Sequence, residues 1–161
     1  MKKYLFLSVI ALLLFSCSTS KKISLNHSWI DIAVIEDLEV YTDTLSIKYK
    51  QDGYTYAWVK TTYTQPESRK SYIDKIRKSY PKQDSKLDEK MKKWDNFYYN
   101  ISYRAYDCSN KRYKTLQVTD YTSDNKEIIT TKPPKGTERW VDVGIDTMGD
   151  YTLFYICDYG N

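Results

Sequence analysis

Histidine occurs once in the 161 residues, at His27, and glycine only five times. With the one histidine beside the start of the folded part, the domain has no general base of that type to offer. No glycine-rich run could cradle a phosphate, and no G-x-S-x-G could raise a nucleophilic serine. There is no CxxC pair and no histidine spacing suited to a metal. Carboxylate pairs such as Asp88-Glu89 fall on a stretch that reads as an exposed helix, where solvation is their ordinary state. These absences leave no catalytic residue, cofactor site or metal site to name, and the chain reads as a non-enzyme. The formal charge of +4 gives it no overall nucleic-acid-binding character. No internal repeat or low-complexity block interrupts it.

Long hydrophobic runs are equally scarce. The one apolar segment, Tyr4 to Phe15, has about a dozen residues, well short of the roughly 20 that cross a bilayer. It follows the basic pair Lys2-Lys3, which is the layout of a bacterial export signal. The segment closes on Leu14-Phe15-Ser16-Cys17, an apolar residue three before a cysteine with a small residue directly before it. That pattern resembles a lipobox, in which the cysteine is acylated (palmitate among its chains) and becomes the first mature residue. Each buried methylene contributes about 0.8 kcal/mol to membrane affinity, and two or more chains hold stably. Residues 1–16 are therefore read as a lipoprotein signal peptide. Residues 17–28, beginning Cys17-Ser18-Thr19-Ser20-Lys21-Lys22, are polar and aperiodic and read as a flexible tether. Residues 29–161 make one domain, lipid-anchored in the cell envelope at the outer membrane. The stretch after Cys17 has no acidic cluster, which favours the periplasmic over the surface face.

Within the domain, tyrosine is abundant, at 17 residues in the chain. It favours strands and also surfaces that touch partners, being apolar at one end and hydrogen-bonding at the other. Trp29–Val34 and Glu39–Thr42 read as short strands with Asp43 turning the chain. Thr44–Lys50 alternates, Leu45, Ile47 and Tyr49 opposing Ser46, Lys48 and Lys50, and predicts a strand. Gln51-Asp52-Gly53 supplies a hairpin turn into a strand over Tyr54–Thr64. After Pro66 the period changes: Tyr72, Ile73, Ile76 and Tyr80 recur at helical spacing until Pro81 stops them. Ser85-Lys86-Leu87-Asp88 predicts a capping box opening a second short helix lined by Leu87, Met91 and Trp94. Residues 69–93 hold ten basic and four acidic side chains, a local +6 on a mildly acidic body. Such a run is either a solvated face or a patch for anionic headgroups or an acidic partner.

Strands resume over Phe97–Cys108, Arg112–Thr122 and Glu127–Thr131, with turns at Ser109-Asn110-Lys111 and Ser123-Asp124-Asn125-Lys126. Trp140–Val143 is a short extended piece after a proline loop. Thr147–Tyr159 fits a helix with an apolar stripe of Tyr151, Leu153, Phe154, Ile156 and Cys157, and Asp150 favours its start electrostatically. The fold class is thus α+β: a single antiparallel β-sheet with a C-terminal helix packed on one face and a helical insertion, 67–93, between strands. Apart from Cys17, two cysteines remain, Cys108 and Cys157. An even pair in an oxidising compartment reads as a disulfide, the alternative being two buried thiols.

The series Tyr41-Thr42-Asp43, Trp58-Val59-Lys60, Asp107-Cys108, Tyr121, Trp140-Val141 and Cys157 resembles the surface-adhesin protein E family of bacterial lipoproteins. The resemblance spans about residues 29–157. It implies an antiparallel sheet, a C-terminal helix tied to it by a Cys108–Cys157 disulfide, and adhesion to host extracellular-matrix and serum proteins. The lysine-rich stretch 67–93 stands out as an insertion. The expected function is an envelope-anchored, non-catalytic, adhesin-like protein-binding module, its partner and binding residues unidentified. The alternative is a periplasm-facing structural or accessory lipoprotein.

Overall fold

The computed structural model describes residues 26–35, 37–81 and 83–159. The expected signal peptide, the lipidation site Cys17 and the tether up to residue 25 lie outside the described residues. The elements in order are β1 (Trp29–Ile35), β2 (Leu38–Asp43), β3 (Lys48–Tyr49), β4 (Thr55–Tyr63), α1 (Pro66–Ser79), α2 (Leu87–Met91), β5 (Phe97–Asp107), β6 (Arg112–Thr122), β7 (Glu127–Thr131), β8 (Val141–Asp142) and α3 (Met148–Tyr159). The strands form one antiparallel sheet in the order β1-β2-β4-β5-β6-β7, with β3 paired to β4 and β8 to β6. This is the predicted α+β architecture.

Turn chemistry sets the register. Gly53 takes φ +84 in the tip between β3 and β4, a left-handed conformation that a Cβ would oppose. Asn125, at φ 62, does the same between β6 and β7, where asparagine tolerates that region well.

The alternating stretch 44–50 does not become a full strand. Thr44–Ser46 winds into a single 3₁₀ turn, leaving only Lys48–Tyr49 to pair. The cause is local side-chain competition for backbone groups. The Asp43 carboxylate accepts from the Leu45 N–H at 3.2 Å, and Ser46 Oγ donates to the Asp43 carbonyl at 2.7 Å. Ser46 Oγ also accepts from the Trp58 N–H at 2.8 Å, taking the place of a ladder bond to β4. The same Asp43 carboxylate accepts from the Ser28 N–H and lies 2.7 Å from His27 Nδ1. His27 and Ser28, the last residues expected in the tether, are therefore held against the end of β2.

Residues opposite one another in register point to the same side of the sheet. Val40, Ala57, Val59 and Tyr106 share one side with Asn100, Asp120 and Ile129. All three α-helices cover this side, at two ends. At the first end α3 buries Thr152, Leu153, Ile156 and Cys157 against Val40, Ala57, Val59 and Tyr106. The predicted stripe is narrower than expected: Tyr151 and Phe154 stand 53% and 66% exposed. A disulfide joins Cys108, just past β5, to Cys157 of α3 across a sequence separation of 49.

At the second end α1 and α2 pack Tyr72, Ile73, Ile76, Leu87 and Met91 around Trp94 and Phe97. Pro66 sits in the first turn of α1, Glu67 beside it, and Arg77 and Lys78 lie in the last turn, each suited to the helix dipole. The capping box predicted at Ser85 does not form. Lys86 occupies the cap position without a side-chain bond, and Asp84 does the local work instead. Its carboxylate accepts from the Lys86 N–H and pairs with Lys90 at 2.6 Å, a geometry one residue earlier than the motif allows. The insertion is fixed to the sheet by a buried carboxylate. Asp120 accepts from Tyr72 Oη at 2.7 Å and from Trp94 Nε1 at 2.8 Å. Much of the insertion's positive charge faces water, some of it paired locally, as Lys70 with Asp74 and Arg77 with Asp88.

Candidate functional site

The other side of the sheet has no α-helix over it among the described residues. It carries Tyr41 and Lys60 in one register row, Trp58 and Tyr103 in the next but one, and Tyr99 with Tyr121 beside Thr62. Tyr56 opposes Ala105 on the same side. Six of the chain's tyrosine and tryptophan side chains thus fall on this helix-free face because they occupy alternate positions of adjacent strands.

These rings pack on one another rather than under a covering layer. Trp58 and Tyr103 lie 4.9 Å apart between ring centres, and Tyr56 and Tyr103 5.8 Å. Tyr99 and Tyr121 stack at 4.9 Å with an 8° angle between planes. Lysines thread between them: Lys50 Nζ sits 3.8 Å over the Tyr56 ring, and Lys60 Nζ 4.8 Å over Tyr99 and 5.4 Å over Tyr41. Such contacts hold a cation over a ring face and fix both. At the rim Trp140 packs on Tyr54, with Arg112 and Lys114 over its ring.

Two hydroxyls of this face donate to carboxylates of the same chain. Burial, then the Glu39 carboxylate that accepts its proton, pushes the Tyr41 phenol up to about 12. The Tyr56 phenol is raised further, first by burial and then by its bond to Asp52. Both stay protonated at neutral pH, each donating to a carboxylate of the chain itself. Beside Trp58 and Tyr103, the 3₁₀ turn leaves a shallow depression of about 180 Å³ bordered by Leu45, Ser46 and Lys48. It is large enough to receive one side chain of a partner.

Among the described residues no group of three His, Cys, Asp or Glu side chains could hold a metal ion. No helix among them is long and apolar enough to cross a membrane. Asp88 and Glu89 lie exposed on α2, Asp88 engaged by Arg77. Cys108 and Cys157 are joined, and Cys17 lies outside the described residues.

The sequence profile of the surface-adhesin protein E family matches residues 29–158. The chain belongs to that family. No curated protein matches it. It is similar to crystal form II of Haemophilus influenzae protein E, at 14% identity over 81% of this chain and 94% of that one, with a TM-score of 0.45. A second structure of that protein gives 15% identity, 81% and 86% coverage and a TM-score of 0.45. Protein E from non-typeable H. influenzae gives 14%, 80%, 75% and 0.42.

In this member of the surface-adhesin family, Asp120 is the residue that sequence reading missed. Its signal was a carboxylate in the middle of a strand, between Thr119 and Tyr121. Such a residue either faces water or is held by donors from elsewhere in the chain. The tyrosine face was foreseeable as a composition but not as a place, since only strand register assembles it.

Proposed function

We propose that this chain is a lipid-anchored, non-catalytic protein-binding module of the bacterial cell envelope, held by acylation of Cys17 after removal of residues 1–16, and that the open tyrosine–lysine face is its contact surface. The observation that carries the reading is the helix-free array in which Tyr41, Trp58, Tyr103 and Tyr121 are half-buried, with Tyr56 and Tyr99 buried under Lys50 and Lys60. Tyrosine and tryptophan supply rigid, amphipathic contact area at low entropic cost, and interface hot spots are enriched in both. The depression beside Trp58 is the natural centre of such a contact. Family membership supports a host protein as the partner.

Trp58→Ala combined with Tyr103→Ala, in the full chain displayed on cells, tests this directly. Binding to immobilised extracellular-matrix and serum proteins should fall at least about tenfold, the loss expected for a hot-spot pair. Binding unchanged in a folded double variant would overturn the assignment of the face. For the anchor, Cys17→Ser should move the protein from the membrane fraction to the soluble fraction.

A second reading, a periplasm-facing accessory lipoprotein, is favoured by one observation. Ser18-Thr19-Ser20-Lys21-Lys22 carries no acidic cluster. Protease treatment of intact cells separates the two: digestion places the domain outside, survival places it within.

A further inference from the structure

Between α1 and the β6–β7 end of the covered face lies a cavity of about 290 Å³, on the opposite side of the sheet from the tyrosine–lysine array. It is lined by Tyr72, Tyr80 and the nearly fully buried Trp94, with Ile76, Ile129 and Asp120. Asp120 is 4% exposed. Both of its oxygens are held by neutral donors, Tyr72 Oη and Trp94 Nε1. Among the described residues no lysine, arginine or histidine pairs with it. At the wall, Lys90 stands 5.7 Å over the Tyr80 ring and has its ammonium engaged by Asp84 at 2.6 Å.

Buried carboxylates are ordinarily matched by a cation, and this one faces a space where a cation could stand. Two oriented donors hold the carboxylate in place without neutralising it. Aromatic walls are the surfaces that most favour an alkylated ammonium, whose charge is diffuse and weakly hydrated. The volume falls at the lower edge of the range for drug-sized ligands, so the occupant is small. We propose that this cavity is a binding site for a small organic cation with a methylated ammonium head, its nitrogen placed against the Asp120 carboxylate and its methyl groups against the rings of Tyr72, Tyr80 and Trp94. The site is independent of the tyrosine–lysine face, and its failure would leave that reading untouched.

The test is a calorimetric titration of the full chain with choline, alongside its uncharged isostere 3,3-dimethylbutan-1-ol. The indole N–H resonance of Trp94 is followed in parallel. Choline should bind saturably, with a dissociation constant of roughly millimolar or below, and shift that resonance. The neutral isostere should bind at least about tenfold more weakly, because it keeps the shape and loses the charge. Asp120→Asn should abolish the preference for choline. Should that variant fail to fold, Ser79→Trp serves instead. Ser79 is exposed at the end of α1 and lines the cavity, so the larger side chain fills the space without entering the core. It should abolish choline binding with the fold intact. Three outcomes would each overturn the proposal: no saturable choline binding, equal binding of the isostere, or unimpaired binding by folded Ser79→Trp.

Discussion

The covered face of the sheet is closed at one end by a covalent bond and at the other by a carboxylate. Near Cys108 the helix α3 lies on Val40, Val59 and Tyr106, a core of aliphatic and aromatic atoms clasped by Cys157. Close to that clasp Asp107 is buried but compensated, bound by Asn110 and by Arg112 at 2.8 Å. Near Asp120 the helices α1 and α2 lie on a core built largely from rings, with a cavity alongside and, among the described residues, no cation paired with the acid. The first end needs little from side-chain geometry, because the linkage limits how far α3 can leave. The second depends on two hydrogen bonds whose donors come from α1 and from the turn after α2. Stability should therefore be dominated by chain connectivity at one end and by polar geometry at the other.

Opening the clasp is expected to have the largest effect. In the chain-entropy treatment, a loop of this length gives about 4 kcal/mol of stability. For a domain of this size that corresponds to a fall in Tm of roughly 10–20 °C. Cys108→Ser with Cys157→Ser, or verified reduction, compared by calorimetry with the oxidised protein, measures it. An unchanged Tm with both thiols free would remove the asymmetry between the two ends.

Trp94→Phe comes next. It keeps most of the ring's burial and removes the N–H that Asp120 accepts, leaving a buried carboxylate with one donor. The cost should be about 2 kcal/mol, within the range for a buried polar group that loses a partner. Tyr72→Phe should cost a similar amount, and the double variant, read by denaturant unfolding, should depart from additivity because both donors serve one acid. Additive losses would mean that the carboxylate does not couple the two helices.

The disulfide end was the more legible in sequence. Cys108 follows an alternating strand, Cys157 sits in a helical stripe, and the hairpin turn into β4 announces itself by Asp52-Gly53. These are local signals, each readable within a few residues. The Asp120 end is not local. Asp120 lies 48 residues from Tyr72 and 26 from Trp94, and nothing at any one of them names the other two. The same limit explains the smaller misses. The alternation of Thr44–Lys50 was real, but Asp43 and Ser46 satisfied the backbone before a long strand could pair. The helix α2 took its carboxylate from Asp84 rather than forming a box at Ser85. Periodicity reports which faces are apolar; it does not report which polar side chain claims a given N–H. The tyrosine array was visible only as an excess of one residue type until adjacent strands fixed their register.

The smallest expected effect is the pH dependence, and it separates the two ends by sign. Burial raises the Asp120 carboxyl above its ordinary 3.8, against the lowering from its bonds to Trp94 and Tyr72. The folded protein therefore holds a proton that the unfolded chain has lost between 3.8 and the raised value. Across that window this group's contribution falls as pH rises, and it is fully present only below 3.8. Asp107 behaves oppositely. Its bond from Asn110 and those from Arg112 hold its carboxyl below 3.8, so its contribution is present above 3.8 and is lost as the pH drops through the lowered value. Unfolding free energies of the native chain and of Asp120→Asn, compared from acid to neutral pH, isolate the first effect. The native chain should lose ground to the variant as pH rises above about 4, with a slope no steeper than about 1.4 kcal/mol per pH unit, the limit for one titrating group. A difference independent of pH would show that burial is not what governs this acid. Asp120 would then be only a hydrogen-bond acceptor, and the contrast with Asp107 would reduce to geometry.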